Sequence, residues 1–373
     1  MNDVAEQKAP NAYLGASGEM LSGFEIDPAA LAGFLRERDV DGGEGIVIRQ
    51  FQGGQSNPTY LVRTDAAAYV LRRRPPGVLL ASAHAIDREY RIISALHAAG
   101  LPVPRPIAYC DDTAVIGSAF YLMAHVEGRI FFDNSLPDLA PEERAAVYDS
   151  ANATLARLHA LDPAALGLED FGRPGNYLAR QVARWSRQYE ASKTIEVPAM
   201  DKVIAWLAAN VPPEVPARIV HGDYSLHNLI FRPDRPEVAA IIDWELATLG
   251  DPIADLTYHA MEWYRPPGID PRGSLAAADL DRLGIPPLDA YVARYCARIG
   301  RGPIADLGYY KAFNLFRVAA IIQGVVARQQ GGNAVDPQAV EQAARVAPLA
   351  EAAWAAACEA GATDTHAKMD SSI

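Results

Sequence analysis

His221-Gly222-Asp223-Tyr224-Ser225-Leu226-His227-Asn228 is the densest grouping of reactive side chains in this 373-residue sequence. It lies between two apolar runs, Ile219-Val220 and Leu229-Ile230-Phe231. Fifteen residues past Asn228 comes Asp243, carried on Ile241-Ile242 and followed by Trp244-Glu245. Two acids and an amide at the edges of short apolar strands suit phosphoryl transfer. A nucleotide phosphate arrives with divalent magnesium, a hard cation that takes oxygen ligands. Asn228 and Asp243 can supply such oxygens. An acceptor hydroxyl needs a carboxylate that orients it and takes its proton, and Asp223 can do this. His221, Asp223 and His227 could instead hold a hydrolytic metal. No further His/Asp cluster supports that reading, and His259 stands alone in the sequence.

These residues need elements to carry them. Pro28 to Arg38 reads as a short helix with Asp27 as its N-cap. Ile46 to Phe51, Thr59 to Arg63 and Tyr69 to Arg72 are β-rich, with the turn Gly53-Gly54-Gln55-Ser56-Asn57 between the first two. That sequence of elements is a meander, not a strand–helix–strand unit. Ser82 to Ala99 reads as a helix, because Ile86, Tyr90, Ile93 and Leu96 recur on one face and Gly100 and Pro102 end it. Two more β-like runs follow, Ile107 to Cys110 and Ala119 to Met123. Thereafter the chain is helical and alanine-rich, interrupted by a β-like island from Arg218 to Trp244 and a Pro-rich stretch from Arg265 to Pro271. The expected division is a leader over 1–25, an N-terminal lobe over 26–125, a C-terminal catalytic and substrate lobe over 126–360, and a tail over 361–373. The hinge is expected near Met123 to Gly128.

The five-residue step from Asp223 to Asn228 equals that of the protein-kinase catalytic loop. From about Gly45 to Asn333 the sequence resembles the aminoglycoside phosphotransferase and choline kinase group of the protein-kinase-like fold. It is more similar to a branch whose animal members form the kinase-like N-terminal part of certain acyl-CoA dehydrogenases. Besides the catalytic loop, the resemblance rests on Gly53-Gly54-Gln55-Ser56-Asn57, on Val70-Leu71-Arg72-Arg73-Arg74-Pro75-Pro76-Gly77, and on Ser82 to Tyr90. Gly250-Asp251-Pro252-Ile253-Ala254-Asp255-Leu256 and Phe313-Asn314-Leu315-Phe316-Arg317 continue it.

The resemblance implies an α+β, two-lobed kinase fold with a small, mostly β N-lobe and a larger helical C-lobe. It implies ATP or GTP with Mg2+, Asp223 as the acceptor-side base, and Asn228 and Asp243 as metal ligands. Gly54, Ser56 and Asn57 would offer donors to the phosphates. Arg72 stands where the family commonly has lysine, paired with Glu89 and holding phosphate. Arg in that place can grip phosphate and Glu89 together, though not through the same atoms. Backbone groups around Met123 to His125 would face the adenine edge. His221 and Asp255 would brace the catalytic loop. Glu245 and Asp251 would be metal-side or helix-capping acids.

The bulk composition agrees with a folded, soluble chain: half the residues are hydrophobic and the formal charge is −12. Such an acidic chain is not built to coat nucleic acid or an anionic membrane. Three scattered cysteines form no disulfide framework, so a cytoplasmic setting is expected. Asp251 to Gln330, expected to build the acceptor pocket, holds eight Asp/Glu and nine Lys/Arg together with a group of aromatics. That balance suits a hydroxylated acyl acceptor such as a hydroxyacyl-CoA better than a polycation. An aminoglycoside or amino-alcohol kinase is the alternative within the class. A catalytically weak, nucleotide-binding scaffold is the alternative outside it, with Arg72 as the feature that favours it.

Overall fold

The computed structural model describes residues 18, 20–21, 23–40, 44–51, 57–75, 85–173, 175–330 and 341–363. Strands β1 (Val47–Gln50), β2 (Thr59–Arg63), β3 (Ala68–Arg73), β4 (Pro106–Cys110) and β5 (Phe120–Ala124) form one antiparallel sheet in the order β1-β2-β3-β5-β4. The fifth strand thus inserts between the third and fourth, and places Tyr121 opposite Arg72.

Side chains alternate across this sheet with the period of two that strands impose. Tyr60, Val62, Tyr69, Leu71, Phe120 and Leu122 pack outward against Leu31, Phe34 and Leu35 of helix α1 (Pro28–Glu37). Asp27 caps that helix, accepting the Ala29 N–H at 2.9 Å. Leu61, Val70, Tyr121 and Met123 face the other way, toward helix α2 (Ile86–Ala98) and the main core. Arg72 shares the face of Val70 and points inward with it. Arg73 shares the face of Leu71 and is buried outward, where its Nε donates to Ser118 Oγ at 2.9 Å.

After β5 the chain crosses to a helical lobe, built among the described residues mainly from α4 (Pro141–Ala160), α5 (Tyr177–Ser192), α6 (Pro198–Ala209), α7 (Pro252–His259), α9 (Leu288–Arg298) and α10 (Leu307–Gln330), with a last helix at Val346–Glu359. The short helices α3 (Thr113–Ile116) and α8 (Leu280–Leu283) fall between them in chain order. The expected β-like island resolves into two antiparallel ribbons on this lobe. Strand β6 (Arg218–Val220) pairs with β9 (Thr248–Gly250), and β7 (Leu229–Phe231) pairs with β8 (Val238–Ile241). Strand β9 is three residues long, too short to show a period in sequence. The sheet lobe followed by a helical lobe is the α+β, kinase-like architecture expected above. No helix among the described residues is long and apolar enough to cross a membrane.

Candidate active site

Asp223 and Asn228 sit on the connection between β6 and β7, and Asp243 just beyond β8. Gly222 opens this loop at φ +84°, with the Leu246 carbonyl 2.8 Å from where a Cβ would stand. A side chain there would be both strained and obstructed. Asp255, buried on α7, accepts the backbone N–H groups of His221 and Gly222, each at 2.8 Å. Burial pushes this carboxyl upward, but His159 and the loop donors outweigh it and hold it below the usual carboxylate range. Arg317, from α10, closes the frame by donating to the Gly222 carbonyl at 2.7 Å.

His221 links the two acid-bearing segments. Its Nδ1 accepts the Asp223 N–H at 3.2 Å, so its Nε2 carries the proton and donates to the Ile242 carbonyl at 2.9 Å. The residue before Asp243 is thereby tied to the residue before Gly222. Both ring nitrogens are engaged in the brace, which removes His221 as a metal ligand. Asn228 Nδ2 donates to the Asp223 carbonyl at 2.9 Å and to Asp223 Oδ2 at 3.1 Å, leaving the amide oxygen on its other side. Asp243 adopts a left-handed backbone, φ 66° and ψ 63°. That conformation is uncommon outside glycine, and Asp and Asn tolerate it best.

Asp243 Oδ1 receives Arg72 Nη1 at 3.1 Å. The same Nη1 lies 3.1 Å from Glu89 Oε2, and Arg72 Nη2 lies 3.5 Å from Glu245. One guanidinium from the sheet lobe therefore faces three carboxylates. Arg72 is not a solvated strand end: its side chain is 11% exposed and that of Glu89 2%. Burial pushes the Glu89 carboxyl up, and Arg72, the Tyr121 hydroxyl at 2.9 Å and the Asn57 amide at 2.8 Å act against it. Burial likewise works against the charge on Arg72, but Glu89, Tyr121, Asp243 and Glu245 together raise its pKa above the ordinary value. Breaking such a buried pair from one side costs on the order of 3–5 kcal/mol, because the remaining charge is left uncompensated.

Several expectations change at this level. Asn57, expected to donate to a phosphate, is buried with its amide donating to Glu89 at 2.8 Å. The N–H of His125 donates to the Ala68 carbonyl at 3.0 Å, and that of Ala124 to the Arg105 carbonyl at 2.8 Å. Those two donors belong to the sheet, so an adenine contact must come from other backbone groups of the Met123–Gly128 stretch. Met123 itself is a buried residue of β5. Asp251 caps α7, accepting the Ile253 N–H at 2.8 Å, while Glu245 sits with Arg72. Gly54 and Ser56 lie outside the described residues.

Four residues at the site were not assigned these places from the sequence. Tyr121 donates to Glu89 from the neighbouring strand. His159 contacts Asp255 through Nε2 at 3.2 Å and the Tyr295 hydroxyl through Nδ1 at 2.6 Å. Tyr258, half-buried on α7, sits beside Asp223; burial and that carboxylate push its phenol far up. Arg272 reaches His227 of the catalytic loop, with Nη1 3.0 Å from Nδ1. Arg317 stacks on Tyr258, 5.0 Å from the ring centre, as the packing partner of the same wall.

This geometry has known relatives. The model of the phosphotransferase enzyme family matches residues 47–291. A Mus musculus protein named acyl-CoA dehydrogenase family member 10 is 44% identical over 314 residues. That match covers 84% of this chain, which spans 29% of the mouse protein's length. A crystal structure from Ralstonia eutropha JMP134, named for its likeness to aminoglycoside phosphotransferases, is 42% identical with a TM-score of 0.83. The alignment covers 90% of this chain and 99% of that one. Spectinomycin phosphotransferase APH(9)-Ia, in complex with ADP and spectinomycin, shares the fold at 12% identity and a TM-score of 0.57, over 87% of this chain and 97% of its own. The described chain, with its acids held on the loop after β6 and beyond β8, belongs to the phosphotransferase enzyme family.

Proposed function

We propose that the protein is a small-molecule kinase that moves the γ-phosphoryl group of ATP or GTP onto a hydroxyl of its acceptor. The observation that carries this reading is the common frame of Asp223, Asn228 and Asp243, locked together by His221 and Asp255. The donor set fits a magnesium-nucleotide. Arg72 faces three carboxylates, an excess of negative charge that a divalent cation would balance. Asn228 turns its amide nitrogen to Asp223, leaving an oxygen for metal. When bound, magnesium-nucleotide supplies the phosphoryl group and the cation that neutralises its oxygens.

The chain's own residues do the rest. Asn228 and Asp243 hold the metal, and Arg72, oriented by Glu89 and Tyr121, holds phosphate. Asp223 orients the acceptor hydroxyl and accepts its proton as the oxygen–phosphorus bond forms and the bond to the departing diphosphate breaks. Tyr258 limits where that carboxylate can point. The ADP complex of a fold neighbour supports nucleotide use. For the acceptor, the acyl-CoA in the mouse relative's name supports an acyl-CoA class. The aminoglycoside name of the Ralstonia relative supports the competing class. The cationic and aromatic wall of Arg272, Arg317 and Tyr258 favours the former. We place the activity in the cytoplasm, where Cys110, Cys296 and Cys358, all free, would stay reduced.

A nucleotide-consumption screen tests this, using hydroxyacyl-CoAs, hydroxy amino acids, amino alcohols and aminoglycosides. The expected result is magnesium-dependent turnover on a hydroxylated acyl acceptor. Asp223→Asn should lower it at least about 10²-fold with nucleotide binding retained. Efficient turnover of aminoglycosides alone would move the acceptor class. Nucleotide binding without turnover of any acceptor would leave a scaffold.

A further inference from the structure

A second concentration of charge adjoins the catalytic loop, and of its members only Arg272 has been given a place in the reading above. Arg265 and Arg272 come from the stretch between α7 and α8, and Arg345 from the residue before the final helix. All three reach one oxygen, Oδ2 of Asp270: Arg265 Nη1 at 3.1 Å, Arg272 Nη2 at 2.7 Å and Arg345 Nη2 at 3.4 Å. Oδ1 of the same carboxylate is taken by Arg272, through its backbone N–H and its Nε. The other buried acid here is Glu262, in contact with Arg265, and burial pushes its carboxyl up to about 7. Glu341 acts on Arg345 from an exposed position. Burial, with Arg265 and Arg272 adding to it, lowers the Arg345 pKa. The Nε of Arg345 is buried and has no hydrogen-bonding partner among the described residues, and the Nε of Arg265 is the same.

Three guanidiniums facing two acids, Asp270 and Glu262, are short of negative charge, and a buried charged donor without a partner is costly. The position of the shortage matters. Arg272 Nη1 lies 3.0 Å from His227 Nδ1. His227 Nε2 lies 3.3 Å from Ser225 Oγ, which donates to the Asp223 carbonyl at 3.3 Å. His227 thus stands between Arg272 and the catalytic loop. Arg272 and Arg317 both act on Tyr258, the phenol beside Asp223.

We infer that Arg272 and Arg345 form an anion-binding subsite flanking the catalytic loop, and that it takes an acid group, a carboxylate or a phosphate, carried by the acceptor in addition to its hydroxyl. The anion site stands on its own geometry; only the statement that the anion belongs to the acceptor rests on the kinase reading. Planar guanidiniums suit either group through paired, charge-assisted hydrogen bonds. A polycationic acceptor would meet like charge at the same place.

Titration calorimetry on the full chain tests the inference with three probes: 3-hydroxyoctanoate, its methyl ester and its coenzyme A thioester. The free acid should bind at least about tenfold more tightly than the ester, the scale of a charge-assisted contact. Arg345→Gln should abolish most of that difference while magnesium-nucleotide affinity stays within about twofold, and Arg345→Lys should keep part of it. Arg345 carries the test because replacing Arg272 would also unseat His227. Tighter binding of the thioester, lost in Arg345→Gln, identifies phosphate as the anion; tighter binding of the acid alone identifies carboxylate. Equal binding of all three probes, binding of none, or an acid preference that survives Arg345→Gln would overturn the subsite. An intact acid preference without turnover of any acceptor would instead remove the kinase reading and leave the subsite.

Discussion

The two charge clusters beside the catalytic loop are built to opposite plans. Around Arg72, one guanidinium meets three carboxylates, Glu89, Asp243 and Glu245. Around Asp270, one carboxylate meets three guanidiniums, Arg265, Arg272 and Arg345. Neither cluster is neutral by itself, and a low-dielectric setting makes each imbalance expensive. A cation would balance the first and an anion the second. Asp223 lies between a metal-nucleotide that the first suits and an acid-bearing acceptor that the second suits. The clusters also differ in their assembly. Arg72 and Glu89 share one small lobe, and Asp243 and Glu245 join them from the other, so the first cluster is one of the contacts between the lobes. The second lies within the helical lobe.

The comparison can be broken from its metal side with the largest effect. Asp243→Asn keeps a residue that tolerates the left-handed backbone, but removes the charge. It should weaken magnesium-dependent nucleotide binding and lower turnover by about 10²–10³-fold, as losing several kcal/mol of metal-centred stabilisation requires. A metal titration of nucleotide binding that matches the parent protein would exclude Asp243 as a ligand.

Replacing the single cation of the first cluster should act on binding and on stability together. Arg72→Ala should raise the apparent nucleotide constant by about 10–100-fold, the span of a lost charge-assisted hydrogen bond. It also leaves Glu89 buried and unpaired, which should cost about 3–5 kcal/mol in denaturant unfolding. Arg72→Lys should recover part of the affinity, since a point charge reaches phosphate without the fork. If the alanine variant binds nucleotide like the parent, Arg72 is a lobe-joining ion pair and nothing more.

The smallest effect sharpens the other cluster through pH. Glu262 has its carboxyl at about 7, above the ordinary value, because burial disfavours the charge. Below that pH the group is neutral and the cluster is more cationic; above it, a negative charge is added beside Arg265. Binding of an acidic probe should therefore weaken severalfold as pH rises from about 6 to 8, with the methyl ester unaffected. Glu262→Gln should flatten this drift. The sign for stability is the same: a carboxyl raised in the folded state costs stability as pH climbs from its unfolded value through the folded one. A drift that persists in Glu262→Gln would assign it to another group.

Much of the first cluster was legible in the sequence. Strand alternation puts Arg72 on the face of Val70 and helical spacing puts Glu89 beside the apolar stripe of α2, while their pairing was implied by the family resemblance. The loop from His221 to Asn228 announced itself by residue type and step. Asn57, expected at the phosphates from its place in a glycine-rich turn, gives its amide to a buried carboxylate of α2, which no local pattern announces. A backbone donor at a strand end is available only if the neighbouring strand leaves it free, and Ala68 takes the N–H of His125.

What the sequence determined by itself was the longer elements, the acids and amide on the loop after β6 and beyond β8, and the chemistry those groups permit, because each is a matter of residue type and local period. The tertiary structure alone decided which charges share a cluster. Tyr121 reaches Glu89 only because β5 inserts beside β3. His159 braces the loop only because α4 passes Asp255. Arg345 meets Asp270 across 75 residues of chain. Strand order and helix packing are settled by how apolar faces cover one another over the whole core, and no local pattern carries that information.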